Sequence, residues 1–289
     1  MRWGFPGILL AATLGLSGCH NFQQSKLVRP EKITSIVSLS PSTTEIVASS
    51  MVTNLLKGRT AADDYPRTVA SVPIVASVKP DYEAIKAINP SIILLDSQLY
   101  SGSDLQKIKS LGSKVFVIDA KTISDFEKQM FELGDLLGIQ TGQSDYADRI
   151  HVALSNAKGA KPATPVKVAV ILPGRGGPPM INGVKSFLAD VIDEDGGIAI
   201  GPPVDRFVPL NPETLTNENP DLIIIPTSKA SAEADVKAIL ADPTLKGTKA
   251  VQNKAIAPID EDVALRSGSR VDKLIDDVSK VFTFVGSHK

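Results

Sequence analysis

The feature that most constrains this chain is its alternation between two hydrophobic rhythms. Short, β-rich apolar runs occur at Ile33–Leu39, Ile92–Leu95, Val115–Ile118, Val166–Leu172, Leu222–Ile225 and Ala255–Ile259, and stretches of helical spacing separate them. Strands that each lead into a helix before the next strand pair side by side in parallel, with helices covering the faces. The pattern predicts an α/β fold with mostly parallel sheets. A last helix is expected from about Ser269 to Val285, where Val271, Leu274, Ile275, Val278, Val281 and Phe282 form one apolar stripe for core packing. Capping boxes at Ser42-Thr43-Thr44-Glu45 and Ser124-Asp125-Phe126-Glu127 predict two further helix starts.

Ser144–Lys158 is helical in pattern, with Gly138 and Gly142 before it and a Gly159-to-Pro165 segment rich in glycine and proline after it. Such punctuation marks a domain boundary, so this helix is expected to join two lobes. An internal repeat agrees. Glu83 opens a short helical stretch that runs to Asn89-Pro90 and then a buried strand, and Glu213 does the same before Asn219-Pro220. Asp81 and Asn211 are the matching N-cap candidates, and proline cannot continue a helix. The expected organisation is two Rossmann-like lobes, residues 31–142 and 163–289, joined by a linking helix at 143–162.

The segment before the first lobe reads differently. Met1-Arg2 is a positive start, and the apolar run from Trp3 to Leu16 is shorter than the ~20 residues a spanning helix needs. Residues 1–18 are expected to be a signal peptide. The run ends in Leu16-Ser17-Gly18-Cys19, which resembles the lipobox of bacterial lipoproteins and implies lipidation of Cys19, with residues 19–30 as a tether. That cysteine is the only one among 289 residues, so neither an internal disulfide nor a zinc site built from several thiolates can form.

Other chemistries are disfavoured in turn. A net charge of −1 gives no cationic face for nucleic acid. The three histidines, His20, His151 and His288, are too dispersed to converge on a metal ion. Gly174-Arg175-Gly176-Gly177 lacks the Lys-Ser/Thr of a phosphate loop, and Pro178-Pro179 follows it instead of a helix. No Gly-x-Ser-x-Gly elbow is present and no histidine lies at a strand end, so catalysis is not expected. Ligands of parallel sheets lie beyond the carboxyl ends of the strands and at domain interfaces. The loops there carry Ser40-Pro41-Ser42, Asp63-Asp64-Tyr65, Asp96-Ser97, the Arg175 loop, Thr227-Ser228 and Asp260 to Arg266. Asp63 and Arg175 taken alone read as solvated loop residues.

Ile36-Val37-Ser38-Leu39-Ser40-Pro41-Ser42-Thr43-Thr44-Glu45-Ile46, then Asp64-Tyr65-Pro66, Val72-Pro73 and the Glu83 helix with Asn89-Pro90, resembles the substrate-binding proteins of ABC importers for cobalamin, ferric siderophores and haem. Gly196-Gly197 and Asp262 to Arg266 extend the likeness through the second half. The resemblance implies the class III periplasmic-binding-protein fold, with a metal chelate held between the lobes and no resident cofactor. It also implies an extracytoplasmic, lipid-anchored monomer whose partners are the chelate and the transmembrane subunits of an importer. The cobalamin receptors of that family align best, with a ferric siderophore, then haem, then a ligand-free interaction lipoprotein as alternatives. On this likeness Tyr65, Met180, Phe207, Asp262 and Arg266 contact the chelate, and Glu83 and Glu213 dock the importer. Two tryptophans of the cobalamin pocket fall on Val78 and Asp96, and the stretch where haem-binding members carry an axial tyrosine is Val75-Ala76-Ser77-Val78.

Overall fold

The computed structural model describes residues 32–100 and 102–286. The expected signal peptide at 1–18, Cys19 with the expected tether at 19–30, His20 and His288 lie outside the described residues.

The first lobe runs β1 (Ile36–Ser38), α1 (Pro41–Ser49), β2 (Leu56–Thr60), β3 (Ile74–Ala76), α2 (Tyr82–Ile88), β4 (Ile92–Asp96), α3 (Gly102–Lys109), β5 (Lys114–Ile118) and α4 (Ile123–Leu137). Its strands lie in the order β3-β2-β1-β4-β5, every pair parallel. The order reverses between β1 and β4, so the loops after these two strands part and leave a crevice at their carboxyl ends. Then comes α5 (Gln140–Ala160), the linking helix. It starts four residues ahead of the expected Ser144 and takes Gly142 into its first turn, while Gly138 caps α4 at a left-handed φ of 71°.

The second lobe contains β6 (Val166–Leu172), β7 (Met180–Asn182), α6 (Phe187–Glu194), β8 (Gly197–Ile200), β9 (Phe207–Pro209), α7 (Pro212–Glu218), β10 (Leu222–Thr227), α8 (Ala232–Ala241), α9 (Lys249–Gln252), β11 (Ile256–Asp260), α10 (Glu261–Ala264) and α11 (Val271–Gly286). Its order is β11-β10-β6-β7-β9, with β8 also beside β6. The pairs of β6, β8, β10 and β11 are parallel, and β7 adds an antiparallel ribbon with β9. The fold is therefore two mostly parallel α/β lobes joined by one long helix.

Period-two alternation explains why both faces of these strands are apolar. Ile36, Ile92, Leu94, Val166, Val168, Val170, Leu222 and Ile224 face a central core shared by both lobes, which α4, α5, α6 and α11 complete with Phe126, Ile150, Phe187 and Phe282. Val37, Ile93 and Leu95 face outward onto α2 and α3. Ala169, Ile171, Ile223 and Ile225 do the same in the second lobe. One continuous core through both lobes makes their relative position a packed, stiff arrangement.

The two repeat copies fold alike. Asp81 and Asn211 cap α2 and α7 by accepting from the Ala84 and Thr214 amides, and Asn89 and Asn219 end them in left-handed conformations with φ of 46° and 50°. Helices α1 and α4 both start two residues ahead of the expected capping boxes. The N-caps are Ser40 and Thr122, whose hydroxyls accept from the Thr43 and Asp125 amides, and Pro41 occupies the first turn of α1.

Candidate ligand cleft

A cavity of about 380 Å³ opens at the β1/β4 crevice. The β1–α1 turn and the start of α1 supply Leu39, Pro41 and Ser42, and the end of β4 with the loop after it supplies Asp96, Gln98, Leu99 and Tyr100. Thr60 comes from the end of β2, Ser77 and Val78 from the loop after β3, and Leu265 and Arg266 reach in from the second lobe. Several apolar walls are open to solvent: Val78 is 94% exposed, Leu99 58% and Leu265 44%.

Arg266 organises the junction of the lobes. Its guanidinium meets Asp262 at 2.6 Å, Asp64 at 2.8 Å and Glu45 at 3.6 Å. Four residues on, Arg270 makes a two-pronged pair with Glu45, Nη2 to Oε1 at 2.6 Å and Nε to Oε2 at 3.0 Å. It also stacks its guanidinium 4.4 Å from the centre of the half-exposed Tyr65 ring. Glu45 on α1 is 1% exposed, so this pair joins the lobes inside the protein. The second-lobe loop can approach α1 so closely because residue 268 is glycine. A Cβ there would lie 2.8 Å from Glu45 Oε2 and 3.3 Å from the Ser42 Cα. Tyr146 of α5 pins the same loop by donating to the Gly268 carbonyl at 2.7 Å and accepting from the Val271 amide at 3.0 Å.

Local charge sets the protonation of these groups. The Arg266 hydrogen bond holds Asp64 below the usual carboxylate range. Burial pushes Glu45 up more strongly than Arg270 and Arg266 pull it down. Burial also raises Asp96, against the Gln98 amide at 2.8 Å and the Ser42 hydroxyl at 3.2 Å. The Tyr100 phenol is pushed up to about 12, chiefly by burial and then by Asp63, and so stays protonated.

Of the five expected contact residues, Tyr65, Asp262 and Arg266 converge and Asp64 joins them, but only Arg266 among these lines the cavity. Met180 and Phe207 lie on the β7–β9 ribbon opposite Pro209 and Asn182, half-buried, and neither lines the 380 Å³ cavity. Phe207 packs partly against the central core. Val78 and Asp96 both line the cavity. Glu83 and Glu213 are exposed in the first turns of α2 and α7, with no ion pair to either among the described residues. Asp63 is a corrected reading. It is buried and fixes the Asp64-Tyr65 loop by accepting from Thr44, Thr60 and the Thr60 amide. Arg175 also has defined partners in its own lobe, Asp235 at 2.7 Å, Thr227 at 2.9 Å and Glu261 at 3.2 Å. The Gly174–Gly177 loop leads into strand β7, not a helix.

Three contributors escaped the sequence reading: Glu45, Arg270 and Tyr100. Tyr100 follows a strand at the crevice, a position that could have flagged it. Glu45 and Arg270 are 225 positions apart, and only the tertiary fold joins them.

The model of the family described as Periplasmic binding protein matches residues 36–263. YvrC of Bacillus subtilis (strain 168), an uncharacterized ABC transporter substrate-binding lipoprotein, is 22% identical over 314 aligned positions that cover 96% of each chain. The periplasmic vitamin B12 binding protein BtuF of Vibrio cholerae superimposes with a TM-score of 0.75 at 18% identity, covering 88% of this chain and 98% of that one. The periplasmic heme-binding protein RhuT of Roseiflexus sp. RS-1, in its apo form, gives 0.74 at 20% identity, covering 88% and 99%. These likenesses show a shared fold, and the family match spans most of the described residues. This chain belongs to the periplasmic binding protein family.

Proposed function

We propose that the protein is the substrate-binding component of an ABC importer and that it captures a metal chelate, cobalamin foremost, in the cleft between its lobes. The observation that carries this reading is the meeting of Asp64 and Tyr65 from one lobe with Asp262 and Arg266 from the other, beside a cavity at the β1/β4 crevice. No reaction is assigned to the site. It binds, and hands on what it binds.

The charge pattern favours cobalamin over anionic chelates. Arg266 is balanced by three carboxylates, and Asp96 adds another at the cavity wall. Neutral carboxamide arms suit such acceptors, and the propionates of haem meet like charge. The Tyr65 ring offers one aromatic face for a flat macrocycle. A ferric siderophore is the second reading, favoured by the aliphatic Val78, Leu99 and Leu265, which suit a rounded chelate as well as a flat one. Titration with cyanocobalamin, a ferric trihydroxamate and haemin separates these. One chelate is expected to saturate at 1:1, and Arg266→Ala to weaken it roughly tenfold or more through loss of a charge-assisted hydrogen bond. Saturation with none of the three would contradict the reading.

Glu83 and Glu213 are proposed to meet the two transmembrane subunits of the importer, as matched charges on equivalent helices. Glu83→Arg combined with Glu213→Arg should abolish stimulation of importer ATPase and leave chelate affinity unchanged. Lost chelate affinity with normal docking would assign the pair to its own lobes. Anchoring through Cys19, after removal of residues 1–18, predicts a diacyl mass on that cysteine and an extracytoplasmic monomer. An unmodified Cys19 would refute the anchor.

A further inference from the structure

The two charged groups that line the 380 Å³ cavity differ in what they have left to offer. Arg266 has three carboxylates within 4 Å. Asp96 has no Lys, Arg or His nitrogen within that distance among the described residues, and it accepts only from the Gln98 amide and, at 3.2 Å, from the Ser42 hydroxyl. An ionised carboxylate offers about four acceptor positions. The cavity therefore presents unspent acceptor capacity at Asp96, while the charge of its cation is already balanced.

The shape of the cavity adds a second constraint. Leu39, Pro41, Leu99 and Leu265 give it apolar walls, and Asp96 and Tyr100 stand together at the loop after β4, where the strand order reverses. Such a site takes a short apolar stem with a hydrogen-bond donor at its tip. We infer that Asp96 is the acceptor of a ligand-arm subsite, specific for an uncharged or cationic donor such as a primary carboxamide or an ammonium. The inference rests on the proposed chelate-binding function and deepens it. A carboxylate-tipped arm would face Asp96, with Lys121 more than 4 Å from it and Arg266 already shared by three carboxylates, and be rejected. The Tyr100 phenol, neutral at physiological pH, offers a donor to the carbonyl of a carboxamide.

The test compares two chelate pairs that differ only at an arm. One pair is cyanocobalamin and its monocarboxylic acids, in which single propionamides are hydrolysed. The other is a ferric trihydroxamate with a pendant ammonium and the same chelate succinylated to a carboxylate. Dissociation constants are measured for the parent protein, Asp96→Asn and Asp96→Lys. The parent is expected to prefer the donor-tipped member of the pair it binds by about tenfold or more, for at least one arm position. Asp96→Asn should flatten that ratio and Asp96→Lys should invert it. Because the readout is a ratio within one variant, a change in folded fraction does not imitate it. Saturation by a chelate with the same ratio in all three proteins overturns the subsite and leaves the proposed function standing. Failure of the parent to bind either pair overturns the proposed function and the subsite with it.

Discussion

Glu45 and Asp195 are buried to the same degree, each 1% exposed, and they face opposite surroundings. Glu45 lies at the cleft between two arginines, with three nitrogen–oxygen distances of 2.6, 3.0 and 3.6 Å. Asp195 follows α6 in the second lobe, and neither of its oxygens has a hydrogen-bond partner among the described residues. Burial pushes its carboxyl up to about 7. Lys161 pulls it down only in part, while Asp276 and Glu194 add to the rise. Desolvation penalises both acids. Glu45 has two arginines within 4 Å to offset it and Asp195 only the more distant Lys161, so one acid holds the lobes together and the other is a site of protonation.

Breaking the paired acid should have the largest effect. Glu45→Ala leaves Arg266 and Arg270, with side chains 16% and 15% exposed, without their shared carboxylate. A stability loss of ~3–5 kcal/mol is expected in chemical denaturation. A loss below ~1 kcal/mol would mean that the shared core alone fixes the lobes.

Neutralising the unpaired acid should act in the opposite direction. An unfolded aspartate titrates near ~3.9. Between about pH 4 and pH 7 the folded protein keeps a proton that the unfolded chain has lost, so stability falls as pH rises, by up to ~1.4 kcal/mol per unit from this group. Asp195→Asn should match its parent near pH 4 and exceed it at pH 8 by ~2–4 kcal/mol, as read from denaturation midpoints across pH. Superimposable pH profiles would show that Asp195 is not held protonated.

The smallest effect belongs to an exposed contact between the lobes. Lys121 meets Asp119 at 2.8 Å and Asp205 at 3.0 Å, with side chains 30%, 56% and 39% exposed. Solvent screens such pairs, so Lys121→Ala should cost no more than ~1 kcal/mol, and less in high salt. A loss equal to that of Glu45→Ala would remove burial as the distinction between the two junctions.

The comparison also shows which parts of this protein can be read along the chain. Strands β4 and β10 are legible because both their faces are buried, and unbroken Ile/Leu runs follow from that. Strands β2, β3, β7, β8 and β9 carry no such run. Leu56–Thr60 contains Lys57, Gly58 and Arg59, and Ile74–Ala76 and Met180–Asn182 are three residues long. Neighbouring strands, not periodicity, make these segments strands. The capping asparagines of the repeat were legible because local backbone geometry selects them. Glu45 fits the local pattern of a capping box, and nothing near it in sequence points to Arg270. The exposed motif Asp64-Tyr65 was legible as a loop residue pair, but its partner Arg266 lies 202 positions away. Long-range charge pairing leaves no periodic trace.

The central claim is that a chelate sits where Asp64, Tyr65, Asp262 and Arg266 meet. Anomalous diffraction at the cobalt edge, from crystals grown with saturating cyanocobalamin, tests it directly, and the iron edge serves for a ferric chelate. The account predicts one metal peak per molecule in the cleft, between the Tyr65 ring and the Arg266 guanidinium. A peak elsewhere on the molecule, or an empty cleft in crystals of a protein that binds the chelate in solution, would contradict it.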